Sequence, residues 1–317
     1  MNKKYAIAGL VLVLTVAVVG LVVKWSDSAT ETPPKTSSVT GIGSVSSSTV
    51  KEFQGKRQAE RVDIYQPITE QWESSKHATA LKSLKDSGHA MDFCLPCHSS
   101  DYISSGGEGQ IGQVKYSVSC SLCHKLTSAG LVLTDNDRIK LCTKCHTAGE
   151  FAPGKEAHHA QAEIYAGIGA IGVPNQPNPK FQKGLACSDC HMPNQNHNMR
   201  ALTPKVANQE QTGDICMLCH KAEDAQEFAD QVEKLQKDTE TRSKKIQEDL
   251  KQIQNKLEQA KAKGQAVDTI EQEYNVAFTN TTLVVSDSSR GVHNPKYINA
   301  ILGDVEQRIA KINKLLK

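Results

Sequence analysis

Between residues 94 and 220 the chain repeats the phrase Cys-x-x-Cys-His five times. The copies are Cys94, Cys97 and His98; Cys120, Cys123 and His124; Cys142, Cys145 and His146; Cys187, Cys190 and His191; and Cys216, Cys219 and His220. Together they use all 10 cysteines. Two thiols at this spacing form thioethers to one porphyrin, and the histidine held beside them offers its imidazole to the iron. The phrase is the attachment signature of c-type haem. Paired cysteines also bind zinc, but zinc needs no histidine directly after the second cysteine. Redox-active pairs of the thioredoxin kind sit in βαβ patterns, which are missing here. The expectation is five covalently bound c-type haems, with His98, His124, His146, His191 and His220 as proximal ligands.

Of the 11 histidines, six lie outside the motifs: His77, His89, His158, His159, His197 and His293. Five six-coordinate irons need five of these six, so every haem can be bis-histidine. Met199 is an alternative ligand, although a thioether would have to displace an available imidazole. Bis-histidine ligation gives lower potentials than His/Met, which suits anaerobic respiratory transfer.

The motifs begin at residues 94, 120, 142, 187 and 216, and aromatics make up only 5% of the chain. So little polypeptide per porphyrin cannot build a conventional core. The expected fold is mainly α, a multihaem cytochrome c fold in which short helices and loops, with little sheet, wrap the haems. Close porphyrins of this kind pass electrons by tunnelling. A helix is expected from Gln71-Trp72 towards Lys85, carrying His77. His89, just before Cys94, is either a ligand to a neighbouring haem or a surface residue. The Gly/Pro-rich loop from Gly167 to Pro179 should cover a haem face or line a pocket.

Beyond His220 the pattern changes. Residues 222 to about 263 read as a charged helix with a seam of Ile246, Leu250, Ile253, Leu257 and Ala260. Lys263-Gly264-Gln265 breaks it, and Val267, Ile270, Tyr274, Ala277, Thr281 and Val284 repeat the pattern. The seam either closes a helical hairpin on itself or makes a homodimer. A last helix follows Gly291-Val292-His293-Asn294-Pro295, which leaves His293 able to swing back as a distant ligand.

At the other end, Lys3 and Lys4 precede an apolar run from Tyr5 to Val23, closed by Lys24 and Trp25. Its length suits a bilayer-spanning helix with a cytoplasmic N-terminus, and a cleaved signal peptide is the alternative. Either exports the rest of the chain. The expected organisation is an anchor at 1–25, a Ser/Thr-rich flexible linker at 26–58, a pentahaem domain at 59–221, and a helical hairpin with a final helix at 222–317. The formal net charge is only +2 and no phosphate-cradling loop is present, so nucleic acid is not an expected partner.

From about Trp72 onward the chain resembles the ammonia-forming pentahaem cytochrome c nitrite reductases and the related hydroxylamine-oxidoreductase-like multihaem cytochromes. The resemblance rests on Trp72 and His77-Ala78, on Cys187-Ser188-Asp189-Cys190-His191-Met192-Pro193, on His197, on the long helices after the fifth motif, and on Gly291-Val292-His293-Asn294-Pro295. It implies that His77 serves the third haem, His197 the second and His293 the fourth, and that His158 falls where the family keeps a substrate-pocket histidine. The first and fifth haems would then draw on His89, His158 and His159. There are departures. The family holds its open first haem with Cys-x-x-Cys-Lys, and here that position is His98. Thr147-Ala148-Gly149-Glu150-Phe151 lacks the family's calcium-serving Glu and Tyr, so calcium is not expected. Gly169 stands where the family has the fifth haem's distal histidine.

Two functional expectations follow. One is a membrane-anchored relay passing electrons in extracytoplasmic, anaerobic respiration, from a quinol-oxidising membrane cytochrome to another redox protein. The other is a reductase of nitrite, hydroxylamine or a related small oxyanion, with His158 as a catalytic group beside an open iron and Lys155 as a second donor.

Overall fold

The computed structural model describes residues 67–149, 151–205, 215–218, 220 and 224–316. The expected anchor and linker, and Cys219 of the fifth motif, lie outside the described residues. The described residues all belong to one compact unit.

Three helices close the chain: α10 (Ala225–Ala262), α11 (Asp268–Asp287) and α12 (Pro295–Leu315). Asp224 caps α10 by accepting from the N–H groups of Gln226 and Glu227, and Asn294 caps α12 by accepting from that of Tyr297. The seam predicted on α10 is buried along its length, from Ile246 to Ala260, against Val267, Ile270, Ala277 and Val284 of the next segment. Ile298, Ile301, Leu302 and Val305 of α12 complete the same core. The apolar seam is therefore filled within the chain, and a second copy would have to use another surface.

The motif-bearing half is made of short pieces: α1 (residues 67–73), α2 (Ala80–Asp86), α3 (Leu95–His98), α4 (Ser100–Ser104), α5 (Cys120–Cys123), α6 (Arg138–Thr143), α7 (Gln161–Ala166), α8 (Pro179–Gln182) and α9 (Cys187–His191). Four of the five Cys-x-x-Cys-His phrases lie on or run into a helical turn of this kind, and the fifth overlaps the 3-10 turn Ile215–Leu218. The only sheet among the described residues is an antiparallel hairpin of β1 (His124–Thr127) and β2 (Gly130–Leu133), with Leu126 opposite Leu131.

The helix expected from Gln71 to Lys85 is interrupted. Between α1 and α2 the backbone tightens, with Ser75 N–H donating to the Trp72 carbonyl, Thr79 N–H to Lys76 and Ala80 N–H to His77. These bonds to the third residue back replace the α-helical pattern around His77.

The loop 167–179 also takes a role that was not foreseen, because it is sewn onto the C-terminal helices. Ala170 N–H donates to the Tyr297 hydroxyl at 2.7 Å, Ile171 exchanges bonds with the Asn280 amide, and Asn294 Nδ2 donates to the Gln176 carbonyl. Asn178 Nδ2 donates to the carbonyl of His293 at 2.7 Å. Gly167 makes this closure feasible. Its φ of +82° is left-handed, and a Cβ there would stand 1.8 Å from the Gln176 carbonyl oxygen.

Candidate haem-ligand site

Several histidine rings lie close together, and His159, besides its contact with His98, has its centroid 5.7 Å from that of His146. Ring centroids of His77 and His146 are 6.0 Å apart, those of His98 and His159 5.9 Å, those of His124 and His197 6.2 Å, and those of His191 and His293 6.2 Å. Two imidazoles on opposite sides of one metal, with bonds of about 2 Å, have centroids roughly 6 Å apart. Each pair joins one motif histidine to one histidine from elsewhere in the chain. Three of them are the pairs implied by the resemblance, and the fourth brings His159 to the first motif.

The ring orientations are fixed from behind. His98 Nδ1 meets the Ala80 carbonyl at 3.3 Å, His146 Nδ1 the Gln161 Oε1 at 3.3 Å, His191 Nδ1 the Met199 carbonyl at 3.3 Å, and His197 Nδ1 the Gln195 carbonyl at 2.7 Å. His293 Nδ1 meets the Asp287 carboxylate at 2.5 Å. Oxygen of these kinds accepts, so Nδ1 carries the proton and the Nε2 lone pair is left for a metal. The Gln161 amide cannot flip freely, since its Nε2 donates to the carbonyls of Ser286 and Asp287. Met199 thus contributes its backbone carbonyl to His191, a use its thioether did not suggest.

Electrostatics favour the metal-binding form. Burial lowers the pKa of His77, His124, His146 and His191, with a neighbouring imidazole adding to the effect in each. Burial, followed by His158, His146 and His98, takes His159 down to about 4. Neutral imidazole is the form that ligates iron. The donor set, the spacing and the protonation therefore all fit haem iron.

The motifs are tied to one another. Arg138 on α6 donates to Ser188 and Asp189, the two residues between the cysteines of the fourth motif. Glu163 on α7 accepts from the Thr147 hydroxyl and the Ala148 N–H, clasping the exit of the third motif. Gln71 Oε1 accepts from the His197 N–H, and Trp72 Nε1 donates to the Val118 carbonyl just before the second motif.

The remaining histidines are less constrained. His158 is exposed, with its ring centroid 4.0 Å from that of His159, and His98, His158 and His159 offer ligand atoms within 4.8 Å of one another. His159 adopts a φ of +56°, unusual for a non-glycine residue. His89 is exposed, as is Lys155. His220 is exposed and stacks on Phe228 of α10 at 4.9 Å. The sequence reading missed the groups behind the rings, above all Asp287 and Gln161. The signal for Asp287 was its place a few residues before His293, across a polar turn.

Comparison with known proteins agrees with this chemistry. The family model for cytochrome c552 matches residues 176–317, a span that includes His191, His197, His220 and His293. The multiheme cytochrome MtrA of Shewanella baltica is 25% identical over 128 residues, 40% of this chain and 31% of that protein. The outer cell wall cytochrome OcwA superposes with a TM-score of 0.61 at 32% identity, over 75% of this chain and 49% of its own. Cytochrome c nitrite reductase from Desulfovibrio desulfuricans gives 0.56 at 15% identity, over 72% and 66%. An undecaheme cytochrome from the S-layer of Carboxydothermus ferrireducens gives 0.52 at 23%, over 74% and 40%. The last two likenesses are of fold. This chain spans less than half the length of MtrA and of OcwA.

Proposed function

We propose that this chain, which belongs to the multihaem c-type cytochromes, is a pentahaem electron relay working in anaerobic respiration on the extracytoplasmic face of the cytoplasmic membrane. In this reading residues 1–25 anchor it, a quinol-oxidising membrane cytochrome supplies its electrons, and a further redox protein takes them. When bound, each haem supplies a one-electron ferric/ferrous couple. The residues of the chain hold, orient and shield. The cysteine pairs from Cys94 and Cys97 to Cys216 and Cys219 fix the porphyrins, and His98, His124, His146, His191 and His220 are the proximal ligands. His159, His197, His77 and His293 are the distal ligands of the first four in that order. The fifth distal ligand is drawn from His89 or His158.

The supporting observation is the set of four imidazole pairs at 5.9 to 6.2 Å. A ligand pair closed on both faces leaves an iron able to change oxidation state without taking on substrate, which is what a relay requires.

A second reading is supported by His158, an exposed imidazole beside His98 and His159. Here the protein reduces nitrite, hydroxylamine or a similar small oxyanion, and His158 donates a proton to bound substrate. Low-temperature electron paramagnetic resonance on the oxidised protein, with haem quantified, separates the two. Five low-spin ferric haems support the relay. A high-spin signal worth one haem, perturbed by nitrite or hydroxylamine and altered in His158→Gln, supports the reductase and overturns the closed relay.

A further inference from the structure

His293 differs from the other oriented histidines in the charge of its partner. The Nδ1 atoms of His98, His146, His191 and His197 meet neutral oxygens of Ala80, Gln161, Met199 and Gln195. His293 Nδ1 meets a carboxylate, Asp287 Oδ1, at 2.5 Å. The Asp287 side chain is 0% exposed. Its second oxygen accepts from the Ser289 hydroxyl at 2.5 Å and the Ser289 N–H at 3.3 Å. Lys180 feels the carboxylate's charge but directs its ammonium to the Val292 carbonyl at 2.5 Å. The negative charge is thus buried, held by two hydroxyl and amide bonds, and aimed at one imidazole.

The turn that delivers it is built for the purpose. Asp287 ends α11, Ser288 and Arg290 take left-handed φ values of +60° and +54°, and His293 N–H donates to the Ser289 hydroxyl. Asn178 grips the His293 carbonyl and Tyr165 packs edge-on against its ring at 5.9 Å. The ring therefore cannot rotate away from the carboxylate.

We infer that Asp287 is a positioning residue that acts through His293 to hold the His191/His293 haem at the lowest reduction potential in the chain. This rests on the reading that those two histidines ligate one haem. A carboxylate accepting from the far nitrogen makes the imidazole a stronger donor, which favours ferric over ferrous iron. Its buried negative charge acts in the same direction, because reduction removes a unit of positive charge beside it. In a relay such a haem is the uphill step through which electrons must pass.

The test is a potentiometric titration of the holoprotein, followed in the Soret band and by electron paramagnetic resonance. Asp287→Asn keeps the shape and one acceptor oxygen and removes the charge. The expected result is unchanged haem content, every low-spin signal retained, and an upward move of the lowest potential alone. The move should amount to at least tenfold in that haem's reduction equilibrium, about 59 mV for a one-electron couple. Ser289→Ala frees the carboxylate to interact more strongly with His293 and should move the same potential downward, a sign that structural damage would not produce. His293→Ala identifies the haem by removing one low-spin signal. If His293→Ala changes one signal while Asp287→Asn titrates like the wild type, the tuning is overturned and the ligand reading stands. If His293→Ala leaves all signals as they were, the ligand reading fails and the inference with it. Should Asp287→Asn not fold, an unmoved potential in Ser289→Ala overturns the tuning.

Discussion

Two regions of this molecule are held together by different means. Around the first two motifs the buried apolar cluster is Leu81, Leu95 and Val114, with Tyr102 and Ile111 against it. The three C-terminal helices bury a cluster running from Ile246 to Ile312, into which Ala157, Ala160, Ile164 and Val173 also pack. The first region spends its residues on cysteines, histidines and the bonds that orient them. The second has the heptad-like apolar spacing that stabilises helices without help. A region with few core residues folds when something else supplies the cohesion, and covalently bound haem would be that staple here. The difference teaches that the C-terminal helices are a scaffold. They lend rigidity to the fourth site through Asp287, Ser289 and His293, and to the third through Gln161, which Ser286 and Asp287 hold.

Removing the staples should separate the two regions most. In a variant with all ten motif cysteines replaced by alanine, residues 225–316 should remain protected from amide exchange while residues 67–146 exchange freely. Equal protection in the two regions would show that the motif half has a sufficient core of its own.

Acid should separate the regions next. Burial holds the pKa values of His77, His124, His146, His159 and His191 below the ordinary 6.5, His159 at about 4. An unfolded chain protonates them first, so their contribution is complete above pH 6.5 and is lost as pH falls from there towards 4. In the helices, the hydrogen bond from Lys311, with Arg308 beside it, keeps the Glu273 carboxyl below its ordinary 4.5. Its contribution is complete above pH 4.5 and is lost only below that. Soret changes should therefore begin at higher pH than the loss of far-ultraviolet helical signal. Coincident transitions would mean that the two regions unfold as one.

The two regions were also unequally legible in the sequence. The three helices could be read almost to the residue because apolar spacing on a long helix is a local signal, and the break at Lys263-Gly264-Gln265 is a local stop. The motif histidines were legible for the same reason, since each motif carries its own. Which histidine comes to lie near which motif is a long-range matter. The places of His77, His197 and His293 came from resemblance, and the choice of His159 over His158 was not visible in two adjacent identical residues. The break at His77 and the stitching of loop 167–179 depend on bonds to residues far along the chain, such as Asn280 and Tyr297, which no spacing rule encodes.

A smaller perturbation tests the seam between the regions. Gly167→Ala puts a side chain at a φ of +82° and against the Gln176 carbonyl, touching neither core. The backbone strain alone should cost roughly 1–3 kcal/mol. If loop 167–179 is the clasp described above, the low-spin signal removed by His293→Ala should also broaden in this variant. A lower melting temperature with unaltered spectra would show that the loop stabilises the helices without steadying the ligand.

The smallest effect is expected on the outer face of the helices, and it bounds how much of their stability is electrostatic. Arg242 reaches from α10 to α12, pairing with both Glu306 oxygens at 3.1 Å and with Asn299 at 2.8 Å. The geometry is bidentate, but Arg242 and Glu306 are 34% and 47% exposed, and water screens the pair. Arg242→Met keeps the length of the side chain and removes its charge, and should lower stability by no more than about 1 kcal/mol. Chemical denaturation of the wild type and the variant at low and high salt measures the difference, which should shrink as salt rises. A loss several times larger, insensitive to salt, would mean that the three helices are pinned by this clamp rather than by the buried seam, and the contrast between a ligand-held half and a core-held half would need redrawing.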